Sequence, residues 1–294
     1  MNLTDYSTIQ CLRKKHGFFL KKKLGQNFLL DSRVVEETIG GAGVGPEDVV
    51  LEIGPGFGTL TRALSGSARH VIAIELDEKL RPVHQETLGD LSNVSVVYGD
   101  ALTMDLDELV REICPVEVSG QIRVVANLPY YITTPILFYL LESGFNLDSI
   151  TVMVQKEVAQ RIQAPPGGKD YGALSVGVQF RSRPEILLRV KAGSFYPPPK
   201  VDSAVIHLEI LKAPAVSVHN EALFFRVVRA AFGQRRKTLL NALGNQLGEF
   251  ERPCVAEILR DAGIDPGRRG ETLSLEEFAR LADRMDAVKS TKTD

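Results

Sequence analysis

A short motif, Asn127-Leu128-Pro129-Tyr130, follows a hydrophobic strand predicted over residues 121–126. The Asn127 side-chain carbonyl and the Leu128 backbone carbonyl are both hydrogen-bond acceptors. Pro129 is rigid and offers no backbone donor, and Tyr130 adds a flat aromatic ring. Together these residues can hold the exocyclic amine of a nucleobase. Asn and Pro also favour ordinary turns, so a plain turn remains the alternative for the motif taken alone.

A glycine-rich turn at residues 52–58, Glu-Ile-Gly-Pro-Gly-Phe-Gly, lies between an apolar run and a helix-like stretch at 59–64. Glycines in a strand-to-helix turn allow the backbone to approach a ligand and tolerate positive φ. The spacing that includes Gly54 and Gly56 is GxGxG, whereas the dinucleotide fingerprint is GxGxxG. With an acid two residues before Gly54, the turn looks like the S-adenosylmethionine (SAM) turn of Rossmann-like methyltransferases. Glycine-rich turns also serve other nucleotides.

Four apolar runs end at a glycine or a polar residue. The runs lie at residues 49–51, 71–74, 94–98 and 122–126. They lead to Gly54, Glu75, Asp100 and Asn127, and the carboxyl ends of parallel strands meet at one ligand-binding crevice. A carboxylate at Glu75 suits a ribose diol because it accepts from both hydroxyls, and Asp100 suits the amine of an adenine ring. A lone acid is more often a helix cap, but four such ends in sequence favour a SAM site.

Several motifs occur in the order found in one enzyme family. They are Lys23-Leu24-Gly25-Gln26-Asn27-Phe28-Leu29, the glycine turn, Asn127-Leu128-Pro129-Tyr130 and Phe195-Tyr196-Pro197-Pro198-Pro199-Lys200-Val201-Asp202-Ser203. In this order they resemble the ribosomal RNA adenine N6,N6-dimethyltransferase family over nearly the whole chain. The resemblance implies SAM contacts at Asn27 and Leu29, besides Gly54, Gly56, Glu75, Asp100 and Asn127. It also implies dimethylation of two adjacent adenosines near the 3′ end of small-subunit (16S) rRNA, with a role in small-subunit biogenesis.

The chemistry of the reaction assigns roles to the base pocket. Adenine N6 is a poor nucleophile because its lone pair is delocalised into the ring. Acceptors at Asn127 and Leu128 favour a pyramidal N6, Pro129 holds the chain, and Tyr130 and Phe195 are expected to stack on the two faces of the base. We therefore predict catalytic roles for these five residues. Other nearby aromatic residues are interpreted as core: Tyr131, Phe138 and Tyr139.

The distribution of basic residues predicts RNA contacts although the formal net charge is -2. One basic stretch contains Arg13-Lys14-Lys15 and Lys21-Lys22-Lys23. A second cluster contains Arg226, Arg229, Arg235, Arg236 and Lys237. Charge runs usually mark solvated helix faces, but two clusters of one sign point to phosphate groups. Arg235-Arg236-Lys237-Thr238-Leu239 also looks like the C-terminal motif of the family.

The domain organisation follows from these patterns. We predict an α/β fold: a Rossmann-like SAM-dependent domain with a mostly parallel sheet and helices on both faces, and a small all-helical C-terminal domain. The expected boundaries are a basic arm at 1–20, the SAM-binding catalytic domain at 21–211 and a helical RNA-binding domain at 212–294. Residues 165–169, Pro-Pro-Gly-Gly-Lys, are expected to form a flexible loop.

Composition predicts the setting in which the protein works. Three scattered cysteines, Cys11, Cys114 and Cys254, form no metal or disulfide pattern, so no metal is expected and a reducing cytoplasm is the simplest location. No apolar run is long enough to span a membrane. The expected partner is small-subunit rRNA within a pre-assembled small ribosomal subunit, and a monomer is expected.

Two other functions remain open from the sequence. Enzymes that methylate large-subunit rRNA and confer macrolide resistance share the fold and a similar Asn-x-Pro-aromatic motif. The segment Pro197-Pro198-Pro199-Lys200-Val201-Asp202-Ser203 favours the small-subunit group instead. A ribosome-assembly factor that uses methylation only as a release signal is an alternative of another class.

Overall fold

The computed structural model describes residues 1–19, 21, 25–114 and 120–290. Its contacts divide the chain into two compact units. The first contains residues 1–159 and 183–210, and the second contains residues 160–182 and the chain from Leu211 onward. Lys22, Lys23 and Leu24, which belong to the predicted basic stretch and the first motif, lie outside the described residues.

The first unit contains a seven-stranded sheet. Its strands are β2 (Val49–Ile53), β3 (His70–Glu75), β4 (Val94–Tyr98), β5 (Ile122–Asn127), β6 (Ser149–Gln155), β7 (Ser182–Val190) and β9 (Ser203–Ile210). Their order is β4-β3-β2-β5-β6-β9-β7; the pairs from β4 to β6 are parallel, and β9 runs antiparallel to β6. The predicted mostly parallel sheet is therefore confirmed. Two short strands, β1 (Phe28–Leu29) and β8 (Phe195–Tyr196), form a separate antiparallel pair.

The strand order reverses between β2 and β5. From β2 the chain proceeds outward through β3 and β4, and it then returns to place β5 and β6 on the other side of β2. A crevice forms at the carboxyl ends of the strands at such a reversal. Every residue of β2 is buried, as expected for an apolar strand covered on both faces. This sheet therefore places Gly54 and the end of β5 beside each other.

Helices connect the strands of the first unit. They are α1 (Tyr6–Lys15), α2 (Ser32–Ala42), α3 (Thr59–Ser65), α4 (Arg81–Thr87), α5 (Leu106–Ile113) and α6 (Thr133–Glu142), and α7 (Lys156–Gln163) leads from the first unit to the second. Asp31 caps α2, because its side chain accepts from the Val34 N–H at 3.4 Å. The helix ends at Gly43, which has φ +62° and takes the left-handed conformation that glycine tolerates.

Residues 1–19, the described part of the predicted arm at 1–20, fold against the first unit instead. Asp5 caps α1, and the side chains of Ile9 and Leu12 are fully buried. With Leu3 and Phe18 they pack against a cluster that includes Phe28, Phe57, Leu80 and Val83. The apolar residues of α1 recur at helical spacing, but the basic residues at its end drew the interpretation towards a solvated segment. This helix is part of the core of the first unit.

The second unit is helical. It contains α8 (Ala173–Arg181), α9 (Glu221–Gly233), α10 (Leu239–Gln246), α11 (Arg252–Asp261) and α12 (Leu275–Ser290). Phe180 and Phe224 stack in its core with ring centroids 4.8 Å apart. A capping box precedes α12: the Ser274 N–H donates to Glu277 at 2.9 Å and the Glu277 N–H donates to Ser274 at 3.3 Å.

The boundary between the units differs from the prediction. Residues 160–182, expected in the catalytic domain, belong to the second unit because Tyr171, Val176 and Phe180 are buried in its core. The loop at 165–169, expected to be flexible, is held there too. The Gly167 N–H donates to the Glu271 carbonyl at 2.7 Å, and the Arg235 side chain donates to the Lys169 carbonyl. A single domain boundary at residue 211 would therefore separate residues 160–182 from the helical unit in which they pack.

Among the described residues, no helix has the length and apolar character that crossing a bilayer requires.

Replacing Ile9 with Ala tests whether α1 belongs to the core. We expect the free energy of unfolding to fall by about 2–5 kcal/mol, because Ile9 is fully buried and the change leaves a cavity. Denaturant titration measures the effect. Cys11→Ala, an exposed position on the same helix, is the control and should change stability by less than about 0.5 kcal/mol. Equal stabilities of the two variants would show that α1 is not part of the core and would favour the arm that the sequence predicted.

Candidate active site

A cleft opens at the carboxyl ends of β2 to β5. The space within it, including the part open to solvent, is about 1020 Å³. All seven predicted cofactor-binding residues line it: Asn27, Leu29, Gly54, Gly56, Glu75, Asp100 and Asn127. Leu128, Pro129 and Tyr130 line it as well. The sheet and the β1 strand therefore gather residues that are separated by more than 100 positions in the sequence.

The glycine turn takes conformations that other residues rarely adopt. Gly54 and Gly56 have φ of +76° and +59°. A Cβ atom at position 56 would stand 2.9 Å from two ring atoms of Phe28. The absence of side chains in the turn thus keeps the wall of the cleft open and lets Phe28 of β1 pack closely. The turn also accepts a hydrogen bond, because His84 Nε2 lies 2.7 Å from the Gly56 carbonyl oxygen.

Glu75 presents a buried carboxylate at the end of β3. Its side chain accepts from the Asp77 N–H at 2.8 Å and from the Gly56 N–H at 3.3 Å. Burial raises the pKa of Glu75 to about 7, although these hydrogen bonds oppose the rise. A ligand that donates two hydroxyls here would complete the solvation of the carboxylate. Asp100, by contrast, is exposed at the end of β4 and accepts from the Leu102 N–H at 3.0 Å.

Glu52 is a further buried acid on the wall of the cleft. Its residue is 1% exposed, and its Oε2 atom has no hydrogen-bond partner among the described residues. Burial, with a smaller contribution from the charge of Glu75, raises the pKa of Glu52 to about 8. A buried polar atom without a partner is costly. Such an atom on the wall of a binding cleft fits a site that receives a polar ligand.

Asn127 is oriented by a hydrogen bond across the cleft. Its Nδ2 donates to the Asn27 carbonyl oxygen at 3.0 Å. The amide nitrogen is therefore engaged, and Oδ1 remains as the acceptor of this side chain. This bond connects the β1 region to the end of β5, so that one contact joins a residue from each of two motifs.

The aromatic residue of the motif is also held in place. The Tyr130 hydroxyl lies 2.6 Å from Ser203 Oγ at the start of β9. Pro129 packs against the glycine turn, since a Cβ atom at Gly54 would lie 3.8 Å from its Cδ. Leu128 is 1% exposed, and its N–H donates to the Met153 carbonyl of β6 at 3.2 Å. The motif is thus fixed at both ends.

Phe195 does not occupy the predicted position in the base pocket. It is 3% exposed, pairs with Leu29 across β1 and β8, and packs in the core with Val34 and Val205. Strand alternation explains this, because in the two-residue strand β8 it is Phe195 that faces the core. The predicted second stacking face is therefore not provided by this ring.

Tyr131 is the residue that sequence reasoning missed. We expected it in the core, but it is 51% exposed and lines the cleft. Burial, with smaller contributions from Asp100 and Glu75, raises its pKa. Its position directly after the motif was a signal of its location, but its apolar neighbours favoured a core helix. Tyr139, which lies in α6, is half-buried, and its hydroxyl donates to the Met104 carbonyl.

The predicted RNA-binding residues fall into two groups in the second unit. Arg226 is paired with Glu249, and Arg235 is paired with Glu271 at 3.0 Å. Arg229, Arg236 and Lys237 are exposed, and no ion pair joins them to another residue of the described chain. In the first unit, Arg13 donates to the Tyr196 hydroxyl at 2.5 Å, and Lys15 pairs with Glu86 at 2.8 Å.

Solved structures define the class of protein. A dimethyladenosine transferase from Plasmodium falciparum is similar with a TM-score of 0.72 and 26% identity, over 86% of this chain and 95% of that one. A 23S rRNA methyltransferase, ErmE, is similar with a TM-score of 0.65 and 28% identity, over 88% of this chain and 100% of that one. The fold is that of the Rossmann-like methyltransferases with a helical C-terminal region, as the sequence predicted.

Sequence relatives define the family. Residues 17–286 match the family described as ribosomal RNA adenine dimethylase. A ribosomal RNA small subunit methyltransferase A of Moorella thermoacetica is 52% identical over 95% of this chain and 96% of the relative. One from Clostridioides difficile is 46% identical over 99% of each. The chain belongs to the ribosomal RNA adenine dimethylase family, and the predicted class of enzyme is confirmed.

Replacing Glu52 with Gln tests its buried, protonated state. An unfolded glutamate loses its proton near pH 4.5, whereas folded Glu52 keeps it to about pH 8. The folded wild-type protein therefore binds the extra proton between these values, and its stability falls as pH rises through this window. Relative to Glu52→Gln, the wild type should lose more than about 1 kcal/mol between pH 5 and pH 8.

Denaturant titrations of the ligand-free protein at the two pH values measure this difference. Glu112→Gln, which removes an exposed carboxyl on α5, controls for the change of charge. A constant difference between the wild type and Glu52→Gln would show that Glu52 is ionised throughout.

Proposed function

We propose that this protein uses SAM to dimethylate N6 of two adjacent adenosines near the 3′ end of small-subunit (16S) rRNA, with a role in small-subunit biogenesis in the cytoplasm. The observation that carries the proposal is the orientation of Asn127. Its amide nitrogen is bound to Asn27, and its Oδ1 is left as an acceptor beside the cleft. An acceptor of this kind suits an amine substrate.

The residues of the cleft fit SAM. In this proposal Glu75 accepts hydrogen bonds from the two ribose hydroxyls, and Asp100 accepts one from the adenine amine. Asn27 and Leu29 form the wall on the β1 side. Gly54 and Gly56, which have no side chains, let the ligand approach the backbone closely. The Glu52 carboxyl, whose Oε2 has no partner among the described residues, lies on the same wall and suits a polar group. Bound SAM supplies an electrophilic methyl group.

The motif at the end of β5 prepares the acceptor nitrogen. Asn127 Oδ1 and the Leu128 carbonyl accept hydrogen bonds from the two N6 hydrogens, which favours a pyramidal nitrogen whose lone pair points into the cleft. Tyr130 supplies a ring for stacking, worth roughly 1–3 kcal/mol per base. A strong general base is not needed, because N6 becomes acidic only as its new bond forms. Proximity and alignment provide most of the acceleration.

The substrate is RNA in which the target base can leave its stack. After one methyl transfer N6 retains one hydrogen, so a second transfer can follow at the same site. We propose that the enzyme acts as a monomer on a pre-assembled small subunit. In the second unit we propose that Arg229, Arg236 and Lys237, which are exposed, contact phosphates. Arg226 and Arg235 can exchange their partly exposed ion pairs, which contribute little to stability, for phosphate contacts.

The helical unit provides the first test of RNA binding. Replacing Arg229, Arg236 and Lys237 together with Gln should lower the slope of log affinity against log salt by up to about 2–3. Binding is measured on unmethylated small subunits over a range of KCl concentrations. A variant with Lys212, Arg260 and Arg284 replaced by Gln removes three other exposed charges of this unit. Equal slopes for both variants would remove the three predicted contacts from the RNA interface.

Methyl transfer from labelled SAM, followed by nucleoside analysis, tests the activity itself. Unmethylated small subunits and protein-free large-subunit rRNA are offered in parallel, because of the similarity to a 23S rRNA methyltransferase. We expect N6,N6-dimethyladenosine in the small subunits alone. Asn127→Ala should abolish this product while weakening SAM binding only moderately, because the residue acts chiefly on N6.

Three results would contradict the proposal in different ways. Product in large-subunit rRNA would assign the protein to that substrate. Tight binding of small subunits without any product would indicate an assembly factor. Full activity of Asn127→Ala would remove the assigned role of its side chain in orienting N6.

A further inference from the structure

The carboxyl edge of the sheet has two halves of opposite charge. At the β4-β3-β2 half, the acidic residues Glu75, Asp77 and Asp100 follow β3 and β4. Glu75 and Asp100 line the cleft. At the β6-β9-β7 half, lysines replace them: Lys156 follows β6, Lys191 follows β7 and Lys200 precedes β9. The acidic half is accounted for by the cofactor, whereas the basic half has no role in the site described so far.

Strand pairing places these lysines at the same edge as the base pocket. Asn127 at the end of β5 is opposite Met153 in the parallel strand β6, so Lys156 emerges just beyond it. Gln155 at the end of β6 is opposite Ser203 at the start of antiparallel β9. Ser203 is in turn the hydrogen-bond partner of Tyr130, at 2.6 Å. The basic half of the edge therefore begins at the residue that holds the aromatic ring of the motif.

Asp202 holds the three segments together. Its carboxylate accepts from the Ala192 N–H at 3.1 Å and from Lys191 Nζ at 3.3 Å, and its carbonyl oxygen accepts from the Lys156 N–H at 3.0 Å. The Ala192 N–H, followed by the Lys191 ammonium, lowers the pKa of Asp202, and Lys156 adds to the effect. Lys200 lies two residues before it and is exposed.

The charge of this cluster is predominantly positive. Three lysines lie in these segments with half-buried Asp202, and Glu157, the residue after Lys156, adds an exposed acid. The side chain of Lys191 is 85% exposed, so its ion pair with Asp202 is weak and is easily exchanged for another anion. Exposed Val201, between Lys200 and Asp202, adds an apolar contact surface. A polyanion with flat apolar groups is complementary to this surface.

We propose that Lys156, Lys191 and Lys200 form a phosphate-binding rim on the catalytic unit, and that this rim binds the backbone of the nucleotides next to the target adenosine. The proposal rests on the function proposed above, since it takes RNA as the substrate. It also gives the RNA a direction: from the base beside Tyr130, the chain crosses the β6-β9-β7 half of the edge and avoids the acidic cofactor half. The rim is independent of the arginines of the helical unit.

Replacing Lys156, Lys191 and Lys200 together with Gln tests the rim in the full-length protein. Affinity for unmethylated small subunits at about 0.1 M KCl should fall at least tenfold, and the slope of log affinity against log salt should fall by about 2–3. The affinity for SAM and the unfolding temperature should equal those of the wild type, because the three side chains do not line the cofactor cleft. The corresponding Lys→Arg variant, which retains the charges, should keep the wild-type slope.

A matched control removes three charges elsewhere on the same unit. Arg69 precedes β3, Arg183 is the second residue of β7, and Arg111 is in the last turn of α5. All three are exposed. Replacing them with Gln should leave the slope unchanged. If the lysine variant also keeps the wild-type slope and affinity, the rim does not bind RNA.

Two readouts separate failure of the rim from failure of the proposed function. If the wild type produces dimethyladenosine but the lysine variant binds RNA normally, only the rim is wrong. If the wild type produces none on either RNA, the proposed function is wrong. Should the triple variant lose SAM binding or stability, the single variants Lys156→Gln, Lys191→Gln and Lys200→Gln are compared instead. Each should lower the slope by about 1, and three unchanged slopes would overturn the proposal.

Discussion

The parallel pairing of β2 with both β3 and β5 is the constraint on which the site depends. Val50 and Leu51 are paired on both sides of β2, with Val71 and Ile72 in β3 and with Arg123 and Val124 in β5. Because parallel strands start at one edge and end at the other, this pairing brings Gly54, Glu75 and Asn127 to one crevice. The hydrogen bond from Asn127 to Asn27 then closes the crevice from the β1 side. Backbone pairing thus holds the strand ends, and one side-chain hydrogen bond holds the β1 side.

Helix α1 packs against residues that form the wall of this crevice. Ile9 and Leu12 pack in one cluster with Phe28 and Phe57, which also line the cleft. The helix therefore supports two segments that contact the cofactor in the proposed complex. Well-packed clusters transmit small displacements, so changes in the helix would reach the cleft without any direct contact with a ligand. This couples the first residues of the chain to the geometry of a site formed mostly by the sheet.

Charge along the edge of the sheet complements this packing. Buried acids are expensive unless a partner compensates them, and both Glu52 and Glu75 are retained on the wall of the cleft. Their raised pKa values are the consequence of that burial. Lysines occupy the other half of the edge, where the strands lead to exposed segments. In the proposed complex, the order of the strands therefore separates the cofactor from the RNA backbone.

Much of the site was predictable because it consists of local signals. The glycine turn and the acids at strand ends could be predicted from the sequence. Apolar runs indicate the strands, and parallel pairing then determines where the strand ends meet. The position of the Asn-Leu-Pro-Tyr motif could be predicted for the same reason. These residues are adjacent to the strands that position them, so their environment follows from the class of fold.

Tertiary structure decided the features that depend on packing between distant segments. Phe195 turned to the core and Tyr131 to the cleft, because the side on which an aromatic ring lies depends on what the neighbouring strands and helices leave open. The helical character of residues 6–15 and the transfer of 160–182 to the second unit likewise follow from long-range burial. The sequence determined the chemistry of the strand ends through local patterns; only three-dimensional packing determined which side chains face the cleft, since burial is shared by segments far apart in the chain.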